Sequence, residues 1–107
     1  MLFIMLTRLI GKSIHPETVS LQKLEQDVEK NITQFCPQVK WVSNYAVFGP
    51  YDYLDVFFAP DIESAMKVAA IVRSSGHAST EIWPAIEWED FKKLIPSLPQ
   101  EKNFSQK

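Results

Sequence analysis

The side chains best placed to do chemistry crowd into one stretch, "VFGPYDYLDVFFAP" at residues 47–60. It carries two carboxyl groups, Asp52 and Asp55, and two phenols, Tyr51 and Tyr53. Asp55 stands between aromatic residues in an apolar run, where an unpaired carboxylate is costly to bury. An ion pair to Arg8, Lys40 or Arg73 would satisfy it. If Asp55 and Glu81 instead faced one cavity, repulsion and desolvation would raise a pKa and make a general base. Tyr51 and Asp52 follow Gly49-Pro50, the chemistry of a turn, since proline presets φ and aspartate accepts from turn amides. The functional alternative sets both at the rim of a pocket.

The remaining candidates are sparse. His15 and His77 fall in loops, and either could titrate near neutral pH. Neither has metal-ligand spacing to another donor, so no metal is expected. His77 follows Gly76 and leads into a strand, which makes it the first catalytic candidate if there is catalysis, with Asp55 beside it. Cys36 lies at the C-terminal end of a helix, where nothing lowers a thiol pKa, and is expected to be inert. There is no Ser-His-Asp motif, phosphate loop or CxxC, and no cofactor is implied.

Length and composition bound the rest. A chain of 107 residues, 46% apolar and 22% charged, makes one soluble domain with a small core. Net charge is −2, and no basic cluster exceeds Lys92-Lys93, so there is no footprint for nucleic acid. A single cysteine suits a reducing compartment. The apolar start "MLFIMLTRLIGK" lacks a basic lead and a cleavage site, and its run of about nine residues is too short to span a bilayer. It is expected to be a first strand of a cytoplasmic protein that does not bind membranes.

Periodicity and turn residues then divide the chain. Residues 2–10 suggest a strand. Leu21, Leu24, Val28, Ile32 and Phe35 recur at helical spacing, predicting a helix from about Thr18 to Phe35. Strands follow at 39–48 and 53–59. "PDIESAMKVAAIVRSSG" is a second helix, with Asp61 as N-cap and Gly76 as terminator. Residues 78–86 alternate as a fourth strand, placed at an edge by Pro84. "EWEDFKKLI" sets Trp88, Phe91, Leu94 and Ile95 on one helical face, to cover the sheet edge or meet a second subunit. The order β-α-β-β-α-β is the ferredoxin-like split βαβ pattern. The expected fold is an α+β domain over residues 1–95 with an antiparallel sheet, helices on one face and a short C-terminal helix. Residues 96–107 form a flexible tail.

Strand alternation assigns the two sheet faces. Leu54, Val56 and Phe58 form an apolar set suited to the helices. Trp41, Ser43, Tyr45, Tyr53, Asp55 and Phe57 are then expected on the other face, joined by Met5, Thr7, Glu81 and Trp83. This needs an odd number of loop residues in the 49–53 hairpin, because a one-residue slip flips every side chain. So aromatic a face would bury itself in a partner. The expectation is a homodimer with a lined cavity between two sheets, whose ligand-binding residues are Trp41, Tyr45, Tyr51, Asp52, Asp55, Phe57, Glu81 and Trp83.

The segments "FIMLTRL" (3–9), "NYAVFGPYDYLDVFFAPDIESAMKVA" (44–69) and "STEIWPAI" (79–86) resemble the GYD domain family. Gly49, Tyr51 and Asp52 match its naming motif. The resemblance implies a ferredoxin-like fold of the dimeric α/β-barrel kind and no particular activity. Segment 11–26 and the added piece 87–107 depart from the family's usual shape. The leading functional expectation is a small-molecule binding or sensing module. The alternatives are a cofactor-independent, monooxygenase-like enzyme on a small aromatic or quinone-like compound, and a structural interaction module.

Overall fold

The computed structural model describes residues 1–10, 18–76 and 78–99, without the side chains of 18–21 and 24. The element order is β1 (Leu2–Leu9), α1 (Thr18–Phe35), β2 (Lys40–Ala46), β3 (Tyr53–Phe58), α2 (Ile62–Ser74), β4 (Ala78–Ala85) and α3 (Trp88–Leu94). A 3-10 turn, Ile95–Ser97, follows α3. The strands form one antiparallel sheet in the order β2-β3-β1-β4, the arrangement of the split βαβ pattern. The sheet is open, and β4 is an edge strand, as Pro84 required. No described helix is long and apolar enough to cross a membrane.

Local chemistry explains the boundaries. Asp61 caps α2 by accepting from the Ser64 amide at 2.8 Å. That hydrogen bond holds its carboxyl below the usual carboxylate range. Gly76 has φ +76°, a left-handed conformation that any other residue would strain to adopt. α1 spans the predicted residues, and Val28 and Ile32 face inward. Leu21 and Leu24 lie outside the described side chains. Phe35, expected on the inner face, is 60% exposed, and Cys36 is buried instead. Burial pushes the Cys36 thiol up, away from reactivity.

The core lies between the helices and one face of the sheet. Phe3, Met5 and Phe57 pack there with Ile32 of α1 and Ala65, Val68 and Val72 of α2. Phe57 has no exposed surface, and its ring lies 5.7 Å from Phe3 and 5.4 Å from Trp41 between centroids. The small residues of α2 let the helix approach closely over these rings.

This corrects the expected faces. Across β1 and β3, Phe3 pairs with Phe57, Met5 with Asp55 and Thr7 with Tyr53. Paired residues share a face, so Met5, Thr7, Tyr53, Asp55 and Phe57 all lie under the helices. Leu54, Val56 and Phe58 occupy the open face instead. The expected odd hairpin loop is also absent. Ala46 pairs with Tyr53, which leaves an even loop of residues 47–52. Strand β2 does not alternate uniformly either. Trp41 pairs with Phe57 and Ser43 with Val56, so Val42 is the extra residue of a β-bulge. The bulge turns Trp41 toward the helices and leaves Ser43 and Tyr45 on the open face.

Candidate functional site

The helix-free face presents Leu2, Ile4 and Leu6 of β1, Leu54, Val56 and Phe58 of β3, and Trp83 of β4, by register with one another. This floor is apolar, and Phe58 and Trp83 are 44% and 48% exposed. Contiguous exposed apolar surface of this kind marks a binding or interaction face.

A polar chain crosses one end of the floor. It starts in the 47–52 loop. The Val47 amide donates to the Asp52 carbonyl at 2.9 Å and closes the loop. The Asp52 amide donates to the Thr7 carbonyl at 2.8 Å. Its carboxylate Oδ2 accepts from the Leu9 amide at 2.7 Å. Register explains this last bond. β3 pairing with β1 stops at Tyr53 opposite Thr7, so Leu9 has no β3 residue facing it. The Asp52 side chain stands in for the missing strand. Arg8 adds a second tie, with Nε donating to the Pro50 carbonyl at 2.8 Å.

Held this way, Tyr51 reaches over the sheet. Its hydroxyl donates to Glu81 Oε2 of β4. Leu6, which pairs with both Leu54 and Glu81, lies on the β1 line between them and is 5% exposed. The Arg8 guanidinium carbon sits 5.2 Å from the centre of the Tyr51 ring, a cation–π contact. Trp83 Nε1 donates to Glu81 Oε1 at 3.2 Å. Glu81 therefore accepts two hydrogen bonds, and that from Tyr51 does most to hold its carboxyl below the usual range. The same bond is the main reason that the Tyr51 hydroxyl is pushed up and stays protonated.

The chemical character follows. Glu81 is an engaged carboxylate, and Tyr51 is a committed donor. The two terminal nitrogens of Arg8 make no hydrogen bond among the described residues. They can meet a carboxylate, phenolate or carbonyl oxygen through a planar fork. Tyr51 and Trp83 offer aromatic surface beside them.

The residues named from sequence separate into three groups. Tyr51, Glu81 and Trp83 come together as expected, and Tyr45 shares their face at 55% exposure. Asp52 is at the rim but is spent on backbone hydrogen bonds. Trp41, Asp55 and Phe57 lie on the opposite face. Asp55 and Glu81 thus share no cavity. Asp55 accepts from Asn44 Nδ2 at 2.7 Å rather than pairing with a cation. Burial pushes its carboxyl above the usual range, opposed by that hydrogen bond and reinforced by nearby Glu25. It borders a cleft of about 600 Å³ between α1 and the sheet, with Trp41, Tyr53 and Glu25. His77 and His15 lie outside the described residues. Sequence reasoning missed Arg8 as a site residue and treated it only as a partner for Asp55. Its signal was strand alternation, which sets Ile4, Leu6 and Arg8 on one face.

A family model described as "GYD domain" matches residues 3–95. The match runs through α3, so that helix falls within the family's span rather than being an addition to it. No curated protein matches the chain.

Proposed function

The chain belongs to the GYD domain family, and we propose that this member is a homodimeric small-molecule binding module. Its ligand lies on the open sheet face beside Arg8, Tyr51, Glu81 and Trp83. The observation that carries this reading is the coexistence of an apolar floor with an ordered polar chain at one end of it. Small-molecule sites have this composition, mostly apolar with a few oriented polar groups. A second copy laid face to face would convert the open floor into a chamber. The class of ligand follows from the site: a small flat compound with one anionic or carbonyl oxygen. Arg8 would take the oxygen, and Tyr51 and Trp83 the ring.

Among the described residues, the positions of the candidate bases favour binding over catalysis. Asp55 is on the wrong face, and the hydrogen bonds on Glu81 lower its basicity. The single free cysteine is buried and fits a reducing compartment, so we place the protein in the cytoplasm.

The test is a thermal-shift screen of aromatic carboxylates, phenols and quinones against wild type, Tyr51→Phe and Arg8→Gln. A ligand at 100 times its Kd adds about 2.7 kcal/mol to stability. One class of compound should raise the wild-type Tm by several degrees. Tyr51→Phe should retain its unliganded Tm, Arg8→Gln should lose only the small contribution of its exposed bond to Pro50, and both should lose most of the rise. Equal shifts in all three proteins would remove the polar chain from the site. No shift with any compound, for a dimer in solution, would favour a structural module.

A further inference from the structure

We infer that α3 and the turn after it form an exchanged arm, which packs on the open sheet face of a second copy and walls the chamber there. The inference rests on the homodimeric reading above and adds to it which segment completes the site. The arm begins where β4 ends. Its apolar residues are Ile86, Trp88, Phe91, Leu94, Ile95 and Leu98, between 37% (Phe91) and 63% (Trp88) exposed. Trp88 and Phe91 stack with ring centroids 5.6 Å apart, so the apolar side is already ordered. The opposite side carries Glu89–Lys92 and Asp90–Lys93 ion pairs at 3.0 and 3.5 Å, which suits it to water. No residue of α3 or of the turn is buried, and among the described elements α3 packs closely on that turn alone. A seven-residue amphipathic helix without a packed face is far below the length at which helices persist alone.

The same chain supplies the complementary surface. Its sheet has an apolar face without a helix, and its arm has an apolar helix without a sheet. Docking on its own sheet would need a reversal directly after β4. Ala85 pairs with Leu2 at the end of the sheet, and Glu87 is extended at φ −58° and ψ 141°, carrying the chain outward. A second copy related by a two-fold axis meets both needs with one operator, since each arm finds the other's floor. The area suffices. With large side chains at about 150–250 Å² when fully exposed, each arm leaves roughly 500 Å² of apolar surface uncovered. Two arms and the floors they cover would bury about 2,000 Å², within the ~1,200–2,000 Å² of a stable complex before any sheet contact. The floor residues that meet the arm are the exposed aromatics of that face, Phe58 and Trp83 foremost.

Limited trypsin digestion across a dilution series, with mass measured by light scattering, tests this directly. The probe sites are Lys92 and Lys93 within the arm. Cleavage there should be slow at high concentration and accelerate on dilution, in step with dissociation of the dimer. Full-length Trp88→Ser/Phe91→Ser and, separately, Phe58→Ser should each weaken dimerisation at least 100-fold and expose the lysines. Protection that is independent of concentration would place the arm on its own sheet and overturn the exchange. A dimer whose arm is cut equally at all concentrations, and whose Kd is unchanged in the arm variant, would overturn it while leaving the homodimer standing. A wild-type monomer at every concentration would overturn both.

Discussion

Replacing Asp52 with alanine should destabilise the fold by loosening the turn that carries Tyr51, without removing a side chain that meets the open face. The Asp52 carboxylate accepts from the half-buried Leu9 amide at 2.7 Å, at the point where β3 no longer faces β1. Alanine removes the acceptor and leaves that amide without a protein partner. A hydrogen bond to a charged group contributes about 1.5–3 kcal/mol, and an abandoned buried donor costs a similar amount. Asp52→Ala should therefore lose about 2 kcal/mol. That corresponds to a fall of roughly 8–16 °C in Tm for a domain of this size. Asp52→Asn keeps a neutral hydrogen bond of about 1 kcal/mol and should lose only the remainder, again about 1 kcal/mol. Urea denaturation followed by tryptophan fluorescence gives both numbers, and an unchanged m value would show that the unfolding reaction is the same. An Asp52→Ala protein as stable as wild type that has lost ligand binding would refute the reasoning. It would make Asp52 a site residue and its bond to Leu9 incidental.

Phe57→Ala, which empties the space between Phe3 and Trp41, should cost about 3–5 kcal/mol in the same denaturation assay. Trp83→Ala on the open face should cost the monomer, at concentrations where the chain is dissociated, less than about 1 kcal/mol; similar losses for both there would put Trp83 in the core. Gly76→Ala meets no side-chain clash but must hold φ +76°, so a loss of about 1–2 kcal/mol is expected from backbone strain alone. Asp55 gives a pH signature. Burial raises its folded pKa above the unfolded value, so the native state binds its proton more tightly. Its contribution to stability therefore improves as pH falls from the raised folded pKa to the ordinary carboxylate value. Asp55→Asn should abolish that acid-side gain relative to wild type and be at least as stable at pH 7; parallel pH–stability curves for the two proteins would refute the assignment.

Element order and type were legible because each rests on local chemistry. The α1 span, the Asp61 cap, the left-handed Gly76 and the edge position of Pro84 all follow from a residue and its neighbours. The sheet faces were not legible, for two reasons of register. One is the bulge at Val42, which separates Trp41 from Ser43 and Tyr45 although their spacing is strictly two. Valine is an ordinary strand residue and marks no bulge. The other is that burial followed shape rather than uniform apolarity. Leu54, Val56 and Phe58 look like the better core set, yet Phe57 fits between two other rings under the small residues of α2. Asp55 was carried to the helix side by Phe57, two residues along the same strand. Tyr51, Glu81 and Trp83 do meet on one face, and two of them could be placed there because they lie on β4, which alternates without interruption. Strand alternation places Arg8 on the open face, but its tie to the loop carbonyl of Pro50 is a contact no strand pattern encodes.

That distribution explains how the turn "GPYD" can serve both fold and site without conflict. Gly49 adopts no left-handed backbone, so the turn is not held by glycine conformation. It is held by what the loop donates and accepts: Pro50 to Arg8, and Asp52 to Thr7 and Leu9. These bonds run along the end of β1 and leave the Tyr51 side chain as the one part of the motif projected over the sheet. Its hydroxyl then reaches β4, two strands from β3, and fixes a carboxylate that the apolar floor alone would not orient. Loss of the Asp52 carboxylate's bond to Leu9 would loosen Tyr51 as well, so Asp52→Ala should weaken ligand binding as a secondary effect, whereas Tyr51→Phe should weaken it with stability intact. The two variants act on the same face through different atoms. A double variant should therefore bind no worse than Tyr51→Phe alone if the aspartate works through the tyrosine hydroxyl, and additive losses would show that each touches the ligand independently.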